Sequence, residues 1–434
     1  MKVAFVSQPW DTLRPPVSAG SIPIWTYKTA KVLAARCEVV IYARRSDQQL
    51  AQEVQAGIEY RRISVAGIRL CNGLAKGGAK LFRKFRYLNS GLYYGPYGLR
   101  IATDLRQQQC DIVHIHNFSQ FVPVIRALNP KLKIVLHMHC EWLSQFDRKV
   151  IAQRLAQCDL IIGCSDYITE KIRGQFPEFA DKCQRVYNGV DIQQFDETDD
   201  KTDNEVYSQA DDETDDKTGD KTDDPNVLFV GRISPEKGLH TLVAAFEKVA
   251  AKFPTAQLYL VGPNKPTSAE FIAELSDDPI VRRLADLDPP NYPQNLQNHL
   301  PLHLKERVFF TGAVSHLELH RYFQRASVLV NPSLSEAFGM SLVEAMATGT
   351  PTIATKVGGM CDVIVPEKTG LLVPPDQPEA LALAICRLLD EPELRASMGR
   401  AGRLRATEIF SWEAIATSLW AHYQALLPRG GNGL

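Results

Sequence analysis

Several things that would settle the class of this chain at once are missing from it. In its 434 residues no run of eighteen or more apolar residues occurs, so no membrane-spanning helix is expected. The first residues, MKVAFVS, read as a strand; they lack the apolar core and small-residue cleavage site of a secretory leader, and a cytoplasmic location is expected. The nine cysteines, at 37, 71, 110, 140, 158, 164, 183, 361 and 386, are scattered singly and form no Cys-x-x-Cys pair. That excludes the usual structural zinc spacing and gives no support to a disulfide framework, which fits a reducing compartment. No Gly-x-Gly-x-x-Gly follows the first strand, no Gly-x-x-x-x-Gly-Lys-Ser/Thr loop occurs, and there is no Gly-x-Ser-x-Gly elbow. Dinucleotide-dependent redox chemistry, P-loop NTP hydrolysis and serine-hydrolase chemistry are therefore not indicated.

The formal net charge of −1 hides an asymmetry. Residues 196–224 carry fourteen acidic residues and three lysines, so the remainder of the chain is at about +10. That stretch is also an internal repeat, DETDDKTDNE returning as DETDDKTGDKTDD. With almost no apolar side chains to bury, ordering it would cost backbone entropy without return, and it reads as a flexible insertion.

On either side the chain alternates short β runs with amphipathic segments. Strands are expected at Lys2–Ser7, Cys37–Ala43, Asp111–His116, Lys133–His137 and Leu160–Cys164 before the insertion. After it they are expected at Val227–Val230, Gln257–Val261, Val308–Thr311, Val328–Asn331, Pro351–Thr355 and Gly370–Val373. This is the pattern of an α/β chain with two doubly wound, Rossmann-like domains, residues 1–192 and 226–408, joined through 193–225 and facing each other across a cleft. Ligands in such sheets bind at the carboxyl ends of the strands. The segment 409–434 reads as a terminal helix packing back on the N-terminal domain.

Two stretches carry chemistry. In NPSLSEAFGMSLVEAMATGTPTIATKVGG, from Asn331 to Gly359, a strand end is followed by a polar loop, Gly339, and a helix to about Thr348. Glu336 lies in the loop and Glu344 about one turn into the helix, near its positive end. Amides of Phe338, Gly339 and Met340 are placed to receive an anionic or hydroxyl-rich ligand, and the two carboxylates suit sugar hydroxyls. In VGRISPEKG, from Val230 to Gly238, Arg232 and Lys237 sit at one loop-to-helix entry; a bidentate guanidinium and a point charge suit a diphosphate. The competing reading of that loop is a surface ion pair between Glu236 and Lys237.

Taken together, Glu-x-Phe-Gly, a second Glu after seven intervening residues, Ala-Met-Ala-x-Gly-x-Pro and the upstream Gly-Arg-x-x-x-Glu-Lys-Gly resemble the donor-binding signature of family 4 retaining glycosyltransferases with a GT-B fold. The resemblance implies that Glu336 contacts the transferred sugar, that Glu344 holds the ribose, and that Arg232 and Lys237 bind the diphosphate. In the N-terminal half it aligns His139, in LHMHCEW, with a histidine that contacts the donor sugar, while the loop after the first strand, QPWDTLRPPVSAGS, has one glycine, Gly20, where the family often shows a pair. GCSD (Gly163–Asp166) and NGVD (Asn188–Asp191) are similar to further landmarks. His114, His116 and His137 read as hydrogen-bonded core residues. The match departs at Cys140, where the family has an acidic residue, at Cys361-Asp362, and in the long connection Pro263–Lys305, read as a specificity loop.

The expected activity is transfer of a hexose-type sugar from a nucleotide-diphosphate sugar, such as a UDP- or GDP-sugar, to a hydroxyl-bearing acceptor. No cofactor, metal or nucleic acid is expected to take part. Asp286-Leu287-Asp288 is an Asp-x-Asp pair, but the Arg232/Lys237 pair already answers the diphosphate charge. Basic and aromatic residues between 76 and 100 suit peripheral contact with an anionic membrane, and equally an ordinary helix with its aromatics inward. Two rival readings are a nucleotide-sugar-binding regulatory subunit without activity and a nucleotide-sugar epimerase or hydrolase on the same fold.

Overall fold

The computed structural model of the chain describes residues 1–17, 20–65, 90–91, 93–195, 224–264, 276–287 and 291–427. The acidic repeat up to residue 223, the basic-aromatic stretch up to residue 89, and Asp288 lie outside these residues. The chain divides into two compact units, Met1–Gly189 with Phe410–Leu434, and Val190–Ile409. No described helix is long and apolar enough to cross a membrane.

In the first unit eight strands form one sheet: β1 (Lys2–Val6), β2 (Glu38–Arg44), β3 (Gln52–Gln55), β4 (Ile58–Ile63), β5 (Ile112–His116), β6 (Lys133–Met138), β7 (Leu160–Gly163) and β8 (Cys183–Arg185). Their spatial order is β3-β4-β2-β1-β5-β6-β7-β8, parallel throughout except for the antiparallel pair β3 and β4. β1 pairs with β2 from Lys2↔Glu38 to Val6↔Tyr42 on one edge and with β5 from Val3↔Ile112 to Val6↔Ile115 on the other. Val3, Ala4, Phe5 and Val6 are fully buried, which is why the central strands read as unbroken apolar runs. The helices include α1 (Ser21–Leu33), α2 (Gly95–Gln108), α3 (Val122–Leu128), α4 (Arg148–Leu155) and α5 (Asp166–Gln175). The GCSD element is the start of α5: Ser165 accepts from the Ile168 N–H, and a Cβ at Gly163 would lie 2.4 Å from Thr169 Oγ1.

In the second unit six strands, β9 (Asn226–Val230), β10 (Gln257–Val261), β11 (Val308–Gly312), β12 (Val328–Asn331), β13 (Thr352–Thr355) and β14 (Gly370–Val373), form a wholly parallel sheet in the order β11-β10-β9-β12-β13-β14. Its helices include α6 (Leu239–Lys252), α7 (Tyr292–Asn298), α8 (Leu319–Arg325), α9 (Met340–Ala347), α10 (Pro378–Asp390) and α11 (Pro392–Arg405). Val227, Phe229, Leu242, Phe246, Leu258, Ile353 and Ile385 belong to its core. The Pro- and Asn-rich connection between β10 and β11 contributes to that core as well. Tyr292, Leu296, Leu300 and Leu304 are buried in it, and Tyr292 Oη accepts from the His240 N–H at 3.0 Å.

The chain returns to the first unit as α12 (Trp412–Leu426), which packs along α1 and buries Leu419 and Tyr423. Strand order reverses between β1 and β5 in one sheet and between β9 and β12 in the other, and ligands in open α/β sheets sit beside such reversals. All eleven expected strands are present, each to within one residue at either end; β3, β4 and β8 are additional.

Candidate donor site

In the second unit the two informative loops leave the two strands that flank the reversal, β9 and β12. They are joined to each other. The Leu334 N–H donates to the Glu236 carbonyl at 2.8 Å, and a Cβ at Gly238 would lie 2.1 Å from the Pro332 carbonyl oxygen. Gly238 has φ +65° and caps α6, so its lack of a side chain serves both the turn and the contact. Asn331 Oδ1 accepts from both the N–H and the hydroxyl of Ser333, at 3.2 and 2.6 Å, which shapes the start of the second loop.

Lys237 Nζ lies 2.6 Å from Glu336 Oε2, with both side chains less than one-fifth exposed. Burial pushes the Glu336 carboxyl up. The Lys237 ammonium, the Phe338 backbone N–H and the Arg232 guanidinium outweigh that and hold it below its ordinary value. The pairing of Lys237 with Glu236 considered from sequence does not form. Glu236 points inward, 2% exposed, and takes the Ser234 hydroxyl at 2.6 Å and Arg232 Nη2 at 3.5 Å. The Arg232 side chain remains 41% exposed.

Gly339 has φ +99° and starts α9; a Cβ there would lie 3.0 Å from Leu342 Cδ1 and 3.1 Å from Met360 Cγ. Phe338 is buried, and its N–H serves the Glu336 carboxylate, so Gly339 and Met340 remain as the entry to the helix. The Gly358–Gly359 pair after β13 closes on the same loop. The Gly359 N–H donates to the Glu336 carbonyl at 3.1 Å, and a Cβ at Gly358 would lie 1.8 Å from it. Glu344 is buried on the second turn of α9, and its Oε1 lies 3.1 Å from His316 Nε2. Neither His316 nor the two glycines was singled out from sequence as contacting these glutamates.

In the first unit, Gly20 has φ +82°, caps α1, and its carbonyl accepts from the Ile24 N–H at 3.0 Å. His139 follows β6 and is held on three sides. Its backbone N–H donates to Asn117 Oδ1 at 2.7 Å, Nδ1 lies 3.2 Å from Asn188 Oδ1, and Nε2 lies 3.0 Å from His116 Nδ1. His116 continues to the Thr26 hydroxyl at 3.1 Å. A second chain runs from Tyr423 Oη through His114 Nδ1, at 2.7 Å, and from His114 Nε2 to His137 Nδ1, at 3.1 Å. Burial pushes all four imidazoles down, His139 to about 3, and the indole of Trp25 packs against each of them. His114, His116 and His137 bring one ring nitrogen each within 4.8 Å of one another, a grouping able to hold a metal ion; in the array they serve as hydrogen-bond partners of neutral neighbours. The Asn188 of NGVD is placed by the residues beside it: Trp25 Nε1 donates to the Tyr187 carbonyl at 3.3 Å, and a Cβ at Gly189 would lie 2.4 Å from the Trp412 ring. Asp286 sits in a short 3₁₀ turn, Arg283–Leu287.

The glycosyltransferase family 4 model matches residues 24–194, and the model for group 1 glycosyl transferases matches residues 210–405. A D-inositol 3-phosphate glycosyltransferase of Streptomyces griseus is 28% identical over 458 residues, spanning 98% of this chain and 89% of that protein. The sucrose-phosphate synthase of Thermosynechococcus elongatus superposes with a TM-score of 0.68 at 26% identity over 98% of each chain. HepE of Anabaena, solved in complex with UDP-glucose, shares the fold with a TM-score of 0.65 at 18% identity, over 98% of this chain and 100% of that one. Matched in sequence order by one model for each half, and built on two Rossmann-like sheets, the chain belongs to glycosyltransferase family 4, with the GT-B fold.

Proposed function

We propose that the chain transfers a hexose-type sugar from a nucleotide-diphosphate sugar to a hydroxyl-bearing acceptor, with retention of configuration and without a metal ion. The observation that carries this reading is the grouping of Lys237, Glu336 and the partly exposed Arg232 on the two joined loops at the strand reversal. Arg232 and Lys237 receive the diphosphate, Glu336 the transferred sugar, Glu344 the ribose, and His139 contacts the donor sugar. Gly339 and Met340 offer backbone close to the ligand, with Phe338 fixing Glu336 and Gly20 shaping the loop of the first unit. Because Glu336 already holds the Lys237 ammonium in place, that charge needs no reorganisation when the leaving group forms.

In the step itself the bond from the anomeric carbon to the phosphate oxygen breaks and the acceptor oxygen bonds to the same face of that carbon. The departing phosphate takes the acceptor's proton, so no protein base is required. The singly scattered cysteines support a cytosolic setting for the reaction. A surface approach to anionic lipid through residues 76–100 would show as salt-sensitive co-sedimentation with anionic vesicles.

Thermal shift against UDP, GDP, ADP and their sugar conjugates tests the site directly. A ligand at a hundred times its dissociation constant adds about 2.7 kcal/mol of stability. UDP and UDP-glucose come first, given the HepE complex. A shift with one nucleotide family that disappears in Arg232→Ala supports the reading; no shift with any of them removes it. Arg232→Ala and Lys237→Ala should each lower kcat by about 10²–10³ at saturating donor, the loss of one transition-state charge donor. Wild-type turnover in either variant would take that residue out of the mechanism.

A further inference from the structure

Glu344 has a partner that neither loop supplies. His316 stands between β11 and α8, and its Nε2 meets Glu344 Oε1 at 3.1 Å. Its ring is fixed from the other side by Gln194, whose Nε2 lies 3.0 Å from the His316 carbonyl oxygen and 3.3 Å from His316 Nδ1. A main-chain carbonyl can only accept, so the Gln194 atom facing it is the amide NH₂. Its second hydrogen then goes to Nδ1, which makes Nδ1 an acceptor and puts the proton of the neutral ring on Nε2. Nε2 therefore donates to Glu344. The ring edge also packs against the fully buried Phe195, at 5.9 Å between centroids and 85° between planes, and Phe195 in turn meets Phe323 at 5.8 Å.

We propose that His316, oriented by Gln194, is the positioning residue for the nucleotide's ribose. It occupies one oxygen of the buried Glu344 carboxylate and turns the other, Oε2, toward the ribose hydroxyls. This rests on the reading that Glu344 receives the ribose. A buried carboxylate with both oxygens unengaged would rotate or take up a proton; with Oε1 held, it presents a single acceptor direction. The consequence is selectivity. Loss of the His316 N–H weakens the site for ribonucleotides and leaves it unchanged for nucleotides that lack the hydroxyl.

The test is the ratio of dissociation constants for UDP against 2′-deoxy-UDP and 3′-deoxy-UDP, and for GDP against its deoxy counterparts, measured by calorimetry on the full chain. His316→Phe keeps the aromatic edge against Phe195 and removes the N–H. It should weaken the ribonucleotide about tenfold, the size of one hydrogen bond to a charged group, with deoxynucleotide affinity unchanged. His316→Gln, whose amide again offers an N–H, should restore most of the ratio, and Gln194→Ala should reduce it by a smaller factor. Unchanged deoxynucleotide binding in His316→Phe shows that the variant is folded; should it not fold, Gln194→Ala carries the test by itself. If Glu344→Ala collapses the ratio while His316→Phe and Gln194→Ala preserve it, the role of His316 is overturned and the ribose reading stands. If Glu344→Ala itself leaves the ratio at the wild-type value, the ribose reading fails and this role fails with it.

Discussion

Both units bury polar side chains at the carboxyl ends of the strands beside the reversal in strand order, and they pair them in opposite ways. The first unit uses neutral groups: four imidazoles, two hydroxyls and an amide linked ring to ring around Trp25. The second uses charge, with Lys237 against Glu336 and Arg232 against Glu236. A neutral array needs no counter-ion but forbids protonation. An ion pair tolerates burial because each charge answers the other, and it keeps a fixed positive charge ready for an anion. The same sheet architecture thus carries a quiet polar core in one copy and a charged, ligand-ready one in the other.

The sharpest way to separate the two is acid. The histidines of the array have folded-state values far below the ordinary value of 6.5, so below that pH the unfolded chain takes up protons that the folded unit refuses. Stability of the first unit is full above about pH 6.5 and falls as the pH drops below it, each histidine of the array adding to the slope. Glu336 has the same sign in a lower window. Its stabilising contribution is present above its ordinary 4.5 and is lost only as the pH falls through its lower folded value. In the second unit burial pushes His240 down, one imidazole against the four of the array. Hydrogen exchange, corrected for the intrinsic pH dependence, should therefore show the first unit loosening several times more steeply than the second between pH 6.5 and 4.5. Equal slopes would mean that the array carries protons in the folded state.

A smaller effect, confined to the second unit, comes from Gly238→Ala. The new methyl would meet the Pro332 carbonyl at 2.1 Å in a backbone with φ +65°, forcing the two loops apart. A loss of about 1–3 kcal/mol is expected, read as a lower thermal midpoint of that unit, together with weaker nucleotide binding. An unaltered midpoint would show that the loops are not held together as tightly as their contact implies. Smallest is Tyr423→Phe in the first unit, which takes the hydroxyl from His114 Nδ1 and should cost about 1–2 kcal/mol. Because the imidazoles stay neutral and buried, the steepness of the acid response should not change. A shallower response would make Tyr423 part of what excludes the proton.

Eleven strands were legible because parallel strands buried on both faces leave short apolar runs between turn residues, as in Val3–Val6 and Val328–Asn331. Those that were not legible are the ones where that signal fails. β3, QEVQ, has one apolar residue, and β8 is three residues long. β4, IEYRRI, alternates buried and half-buried positions and could have been read from its period of two. At the donor site, Arg232, Lys237, Glu336 and Glu344 stood out because glycines and charges at fixed spacings are local features. The Lys237–Glu336 pair joins residues 99 positions apart, and His316 reaches Glu344 across 28 positions from a loop with no motif of its own. Such partners are set by how strands are ordered in the sheet, which spacing along the chain does not encode. The histidine array is a middle case: His-x-His at the end of β5 and again at the end of β6 marks the strand ends, while the links between them arise from the pairing His116↔His137.

The second unit is nested: the chain leaves the first unit at Gly189 and re-enters it at Phe410. During synthesis residues 190–409 emerge before α12, so the second unit is made while the first still lacks that helix. Until α12 arrives, α1 has an uncovered face, Gly189 has no Trp412 beside it, and His114 lacks the hydroxyl of Tyr423. A nascent chain stalled before residue 412 would therefore present α1 without its partner helix.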